Sequence, residues 1–153
     1  MDTFRQEMRT ILRHFDGSPW ARHGDVQNVI AEYGHFVAAG KTPTQTRRVS
    51  LQIFHASRAI DTLLAHIVSN ESAKPGRPAA PANSTLGSSQ ACIRTHSIGG
   101  RQFTHAEDVG LDDIRDDRNT YLHRANAFSS DPQMRVFLNK TSHIVGAALR
   151  FLP

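Results

Sequence analysis

The feature that most constrains the fold is a long apolar stripe that begins after Thr42-Pro43. Apolar residues recur there every three or four positions: Val49, Ile53, Ala56, Ile60, Leu63, Leu64 and Ile67. This spacing places them on one face of a single helix that ends near Asn70. Threonine followed by proline is typical of a helix start, so Thr42 is the predicted N-cap. A helix with one apolar face needs other elements to cover that face.

Other segments carry the same helical pattern, and strand patterns are nearly absent. Capping boxes are predicted at Thr3 with Gln6 and at Thr104 with Glu107, and Asp131-Pro132 is typical of a further helix start. Because every regular segment is helical, the sequence predicts an all-α helical bundle. Besides the long central helix, the predicted helices cover about residues 3–15, 26–39, 111–128 and 133–152.

The composition changes sharply between Ser72 and Ser89, where proline, glycine, serine and alanine dominate. Such a stretch buries too little apolar surface to order itself, so residues 72–89 are predicted to form a disordered loop. A domain boundary here would leave each half with few helices and a thin core. Residues 1–153 are therefore predicted to form a single domain with a long flexible internal loop. The segment Cys92–Phe103 fits either a short helix or an irregular stretch.

The overall charge favours an acidic partner. Lysine and arginine number 18 against 14 aspartates and glutamates, which gives a net charge of +4. Arginine, the commoner of the two cations, matches phosphate geometry, so RNA is a suitable partner. The single cysteine cannot form an internal disulfide, and no apolar run approaches the ~20 residues that span a bilayer. Since the N-terminus also lacks an apolar signal core, a cytoplasmic protein without a membrane segment is expected.

The strongest candidate for a functional site is the segment from Asp116 to His123. Asn119 and His123 are four residues apart and share a helix face, so the amide can orient the imidazole. Arg118 is five residues from His123, about 140° around the helix. Arginine binds phosphate and histidine exchanges protons near neutral pH. The alternative interpretation of these residues is a solvated, charged helix face.

The order Arg118-Asn119-x-x-x-His123 resembles the R-N-x-x-x-H form of the R-x4-6-H signature of HEPN-domain ribonucleases. The resemblance implies a HEPN-like helical bundle and a metal-independent endoribonuclease that uses no cofactor. It also implies a homodimer whose two motifs face one cleft. Arg118 would bind phosphate, His123 would be the acid or base, and Asn119 would orient or hold the site. Many such proteins are toxins or antiviral-defence effectors, so an antitoxin of the nucleotidyltransferase type or a defence-complex protein is the implied partner.

The chain departs from the family pattern in two places. One toxin subgroup has a tyrosine two residues after the histidine, where this chain has Ala125, and Tyr121 lies inside the motif instead. That subgroup often has lysine before the arginine, where this chain has Asp117. The carboxylate could pair with a basic side chain or face solvent. Two other readings therefore stay open: a noncatalytic helical adaptor that binds RNA or a protein, and a structural subunit of a defence complex.

Weaker signals lie elsewhere in the chain. Cys92, His96 and His105 lack a metal-ligand spacing and are interpreted as loop residues. Arg58 either lines a cleft or extends from a partly buried face. Four aspartates on the motif helix are interpreted as a solvated face near a helix start. The alternative interpretation, which implies a specific function, is a metal-binding cluster. These aspartates are Asp112, Asp113, Asp116 and Asp117.

Overall fold

Six α-helices account for most of the residues that the structure describes. The computed structural model describes residues 2–16, 24–123 and 130–152. Those residues contain no β-strand, only one isolated bridge between Ile98 and Arg101, so the all-α prediction is confirmed. None of their helices is long and apolar enough to cross a membrane. The helices are α1 (Asp2–Phe15), α2 (Gly24–Ala39), α3 (Gln45–Ser72), α4 (Leu86–His96), α5 (His105–His123) and α6 (Asp131–Ala148), followed by a 3₁₀ turn, Leu149–Phe151.

Helix α3 is the central element of the bundle. It packs against α2, α4, α5 and α6, while α1 covers part of α6. Every member of the predicted apolar stripe is at most 2% exposed, so the core prediction for this helix is confirmed. Removing these side chains from water is the main favourable term for the fold. Their neighbours in the same continuous core include Phe4, Met8, Phe36, Leu111, Ile114 and Phe137.

The starts of α1, α2, α3 and α6 differ from the sequence prediction by one or two residues, whereas α5 begins at His105, six residues before its predicted start near residue 111. The predicted end of α5 near residue 128 lies outside the described residues. Helix α3 begins at Gln45 with Thr44 as its N-cap, two residues after the predicted cap. Thr3 lies inside α1, so the capping box predicted there is wrong. In α6 the N-cap is Ser130, whose hydroxyl accepts from the Gln133 N–H while the Gln133 side chain accepts from the Ser130 N–H. Short polar residues stood at neighbouring positions in each case, and the apolar pattern cannot choose among them.

Residues 73–85 form the irregular connection between α3 and α4. Helix α3 includes Ser72 and α4 includes residues 86–89, so the observed connection is shorter at both ends than the predicted loop, residues 72–89. Glu71 is 4% exposed just before the connection, and its carboxylate accepts from Lys74 Nζ at 2.6 Å and Arg77 Nε at 2.9 Å. These ion pairs tie the start of the connection to the end of α3. Flexibility of the rest stays a prediction.

The segment Cys92–Phe103 contains the end of α4 and a tight turn, where the sequence allowed either a short helix or an irregular stretch. Helix α4 continues to His96, and the backbones of Ile98 and Arg101 then exchange hydrogen bonds of 2.7 and 2.9 Å. Gly99 and Gly100 have φ of 54° and 77°, a left-handed region that glycine occupies without strain. The turn reverses the chain so that α5 returns along the bundle.

Candidate functional site

The motif helix α5 is anchored by buried residues on one side and carries the motif near its C-terminal end. Leu111 and Ile114 are fully buried, and Tyr121 packs at the edge of the core. Packing against α3, α4 and α6 fixes the direction in which the motif side chains leave the helix. His123 is the last residue of α5, but its side chain, like that of Leu122, lies outside the described part of the structure.

Arg118 lines an open groove of about 600 Å³ between α3 and α5. Arg58 lines the same groove, which supports the cleft interpretation of that residue. Its guanidinium lies 6.0 Å from the centre of the Phe54 ring, a cation–π contact. Phe54 itself is 40% exposed. The groove therefore combines two cations with an exposed aromatic surface. Its α3 wall consists of Ser50, Leu51, Phe54, Ser57, Arg58 and Asp61.

The neighbours of Arg118 leave its charge available. Its Nε and Nη2 donate to the Asn119 side-chain oxygen at 3.4 and 3.2 Å. Within the described residues no carboxylate is close enough to Arg118 to form an ion pair. Asn119 is exposed, and its side-chain oxygen contacts the guanidinium of Arg118. Its predicted role in orienting His123 stays a prediction.

Asp61 stands beside the two arginines on the α3 wall. Burial raises the pKa of its carboxyl, while the charges of Arg118 and Arg58 act in the opposite direction. Its Oδ1 is buried and accepts no hydrogen bond from the part of the chain that the structure describes. A buried acceptor without a donor is costly, so this oxygen is suited to meet a proton or a donor from a ligand. No sequence signal marked Asp61.

A second charged cluster holds Arg58 in place. Glu32 of α2 accepts from His55 Nδ1 at 2.8 Å and from Arg58 Nε at 3.0 Å. Burial raises the pKa of Glu32, but the hydrogen bonds from His55 and Arg58 outweigh it and the net pKa is lowered. The ring of His55 lies 5.2 Å from that of His35. Sequence reasoning missed this cluster because Glu32 and His55 come from different helices.

The four aspartates of α5 divide between pairing and exposure. Asp112 pairs with Arg115 at 2.9 Å, and Asp117 pairs with Lys140 of α6 at 2.8 Å. Asp113 lies 3.6 Å from the same lysine, and Asp116 is exposed. The carboxylate of Asp117, at the position where the toxin subgroup often has lysine, is therefore paired with a basic side chain. Across residues 2–16, 24–123 and 130–152, no three histidine, cysteine, aspartate or glutamate side chains are grouped to hold a metal.

Comparisons of the chain with models of protein families, with curated proteins and with solved structures found no match. The family resemblance therefore rests on the motif at Arg118, Asn119 and His123 and on the helical architecture around it. Function has to be argued from the groove itself, because a fold class alone does not specify an activity.

Proposed function

We propose that the chain is a metal-independent endoribonuclease with a HEPN-like fold, in which Arg118 binds the scissile phosphate and His123 transfers protons. The supporting observation is the groove in which Arg118, free of any ion pair among the described residues, lies near Arg58 and the exposed Phe54. Guanidinium groups fit phosphate oxygens, and an aromatic ring offers a face on which an RNA base stacks.

The reaction follows from these groups. A base removes the proton of the ribose 2′-hydroxyl, whose oxygen then attacks the adjacent phosphorus. An acid protonates the departing 5′-oxygen, and the product carries a 2′,3′-cyclic phosphate. Arginine donors stabilise the extra negative charge on phosphorus in the transition state. A substrate with 2′-deoxyribose at the cut position lacks the nucleophile and should be inert.

One histidine in the motif suggests why a pair of chains would act together. Acid and base work on opposite sides of the phosphorus, and a homodimer with a shared cleft supplies His123 twice. In this proposal the enzyme acts in the cytoplasm as a toxin or an antiviral-defence effector, restrained by an antitoxin or activated within a defence complex. A sample that cuts RNA while light scattering shows only monomers would contradict the dimer.

A noncatalytic adaptor is the second candidate. Phe54 and Ile30 are each 40% exposed on the neighbouring helices α3 and α2, and exposed apolar side chains often contact a protein partner. Arg58 is already paired with Glu32, which reduces its availability for phosphate. An adaptor would bind RNA or a protein through such exposed side chains without chemically changing its partner.

Cleavage of labelled RNA by purified wild type and by His123→Ala separates the two candidates. The variant should lose at least about 100-fold in rate, because general acid–base catalysis typically contributes that much. His143→Ala is the matched control, since His143 is an exposed histidine of α6. RNA binding should survive in His123→Ala. Equal cleavage by His123→Ala and wild type would leave the adaptor as the better account.

A further inference from the structure

A second pocket, separate from the groove, lies where α1, α3 and the start of α6 meet. Its volume is about 440 Å³, within the ~300–1,000 Å³ range of small-molecule sites. Three arginines from three helices line it: Arg5 of α1, Arg48 of α3 and Arg135 of α6. Cations repel one another, so their convergence is favourable only when an anion compensates them.

Two buried donors in this pocket have no acceptor. Gln52 is 1% exposed, and its Nε2 makes no hydrogen bond with the described residues. The buried Nε of Arg5 is likewise without an acceptor there. Unpaired buried donors are rare in folded proteins, because each has lost its hydrogen bonds to water without replacing them. Both side chains therefore have a donor available for an acceptor atom of a ligand.

Gln52 Nε2 and the guanidinium of Arg5 both lie close to Gly40, the residue that follows α2. A Cβ added to Gly40 would lie 3.1 Å from Gln52 Nε2 and 3.6 Å from Arg5 Nη2. The backbone carbonyls of Val37, Ala38 and Ala39 accept from N–H groups of the turn that follows, so backbone bonds already engage them. The absence of a side chain at Gly40 keeps the space between the donors open.

The charge in the pocket selects the ligand. Asp131 is the one carboxylate in the described lining; it lies 3.4 Å from Arg48 Nη2 and accepts from Gln45 at 3.1 Å. Three arginines against one aspartate leave two positive charges uncompensated. A phosphate monoester carries nearly two negative charges at neutral pH and several acceptor oxygens, whereas a carboxylate or a phosphodiester carries one charge.

We propose that this pocket binds the terminal phosphate of a small phosphate monoester, such as a mononucleotide. Arg48 and Arg135 supply charge, and Gln52 and Arg5 donate to phosphate oxygens from the buried side. Binding here does not depend on RNA cleavage in the groove, so this site and the proposed ribonuclease activity stand or fall separately.

Thermal unfolding and calorimetric titration test the site, with inorganic phosphate and adenosine 5′-monophosphate as probes and adenosine as the control without phosphate. The two phosphates should raise the thermal midpoint in a saturable way, because a ligand that binds only the folded state stabilises it. Arg135→Ala, at an exposed position that folding tolerates, should weaken binding at least about tenfold. Gly40→Ala should also weaken it by crowding the donors.

Arg47→Ala is the matched control, because Arg47 is an exposed arginine next to Arg48 and is not among the lining residues. It should bind both phosphates as wild type does. Equal losses in Arg47→Ala and Arg135→Ala would reduce the effect to overall charge and overturn the proposal. So would the absence of any saturable shift. A phosphodiester-only RNA that binds the pocket more tightly than the mononucleotide would also overturn it, and would make the pocket part of an RNA path.

Discussion

Two charged side chains near the two ends of α5, Glu107 and Arg118, differ in whether they form an ion pair. Near the start, Arg150 donates to both oxygens of Glu107 at 2.7 and 2.6 Å, and Thr104 completes the capping box. Hydrogen bonds from Arg150 lower the pKa of Glu107 to about 2. Near the C-terminal end, Arg118 donates only to a neutral amide among the described residues. Across the groove, burial raises the pKa of Asp61.

Paired charges at the first end fix the helix to the 3₁₀ turn after α6, and any ligand there would have to displace a strong ion pair. Near the other end, Arg118 and Asp61 form no ion pair among the described residues, so they add less to stability and leave a donor and an acceptor for a ligand. This contrast favours a structural role for Glu107 and Arg150 and a functional role for Arg118. It also predicts that Arg118 can be substituted without loss of the fold.

Substituting Arg118 and Arg150 by alanine, in separate variants, should separate activity from stability. Arg118→Ala should reduce RNA cleavage by about 100- to 1,000-fold, because a donor to the transition-state charge is lost. Its thermal midpoint should stay close to wild type. Arg150→Ala should do the reverse and lose about 1–3 kcal/mol of stability. Cleavage assays and denaturant titrations of both variants measure this. A stable Arg118→Ala protein with full activity would remove the functional role of this end.

Glu107→Gln should cost roughly 2 kcal/mol at pH 7. Arg150, with a smaller contribution from Thr104, lowers the pKa of Glu107 from 4.5 to about 2, which corresponds to about 3 kcal/mol. Solvent screening of the half-exposed Arg150 reduces this value. The folded-state pKa lies below the unfolded one. The extra stability of wild type over Glu107→Gln is therefore complete above about pH 4.5 and disappears as the pH falls towards 2. Urea titrations at pH 7, 5 and 3 measure it. An advantage that does not shrink at pH 3 would show that this carboxylate is not its source.

The sequence predicted the framework of the bundle better than the groove. Spacing of Val49, Ile53 and Ile60 fixes the buried face of α3, since helical periodicity is a local property. The capping box at Thr104 and Glu107 was predicted and is confirmed, with Thr104 N–H donating to Glu107 at 2.8 Å. In α2, which the sequence predicts as a helix over residues 26–39, Val26 and Val29 are buried, although Ile30 is 40% exposed.

Asp61, Glu32 and Phe54 were not predicted as site residues, because their importance comes from contacts between helices. Nothing near Asp61 in the sequence shows that Arg118 would stand beside it, 57 residues further along the chain. The motif gave Arg118, Asn119 and His123 through a local pattern. Packing of α6 against α5 then pairs Asp117 with Lys140, which the local pattern could not show.

Asp61→Asn should have a smaller effect than the preceding variants. Its folded-state pKa is raised, so its charge costs stability at neutral pH, and the cost disappears below about pH 3.8. The variant should gain less than about 1 kcal/mol at pH 7. It should also bind RNA a few-fold more tightly, because a negative charge beside two arginines is removed. Asp116→Asn, at an exposed position on α5, should change neither quantity. Weaker RNA binding by Asp61→Asn would identify Asp61 as a ligand contact.

Removing divalent cations should have the smallest effect, a change in cleavage rate of less than about twofold. Asp112 is paired with Arg115, and Asp113 and Asp117 share Lys140, so these carboxylates are engaged by cations of the chain. A magnesium site needs carboxylates that are free to coordinate. Cleavage is compared in excess EDTA and in a matched sodium chloride control, because salt alone weakens RNA binding. Loss of activity in EDTA that Mg²⁺ restores would contradict the metal-independent mechanism. The pairing of Asp112 and Asp117 would then have to open during the reaction, and Arg118 and His123 would become supporting residues.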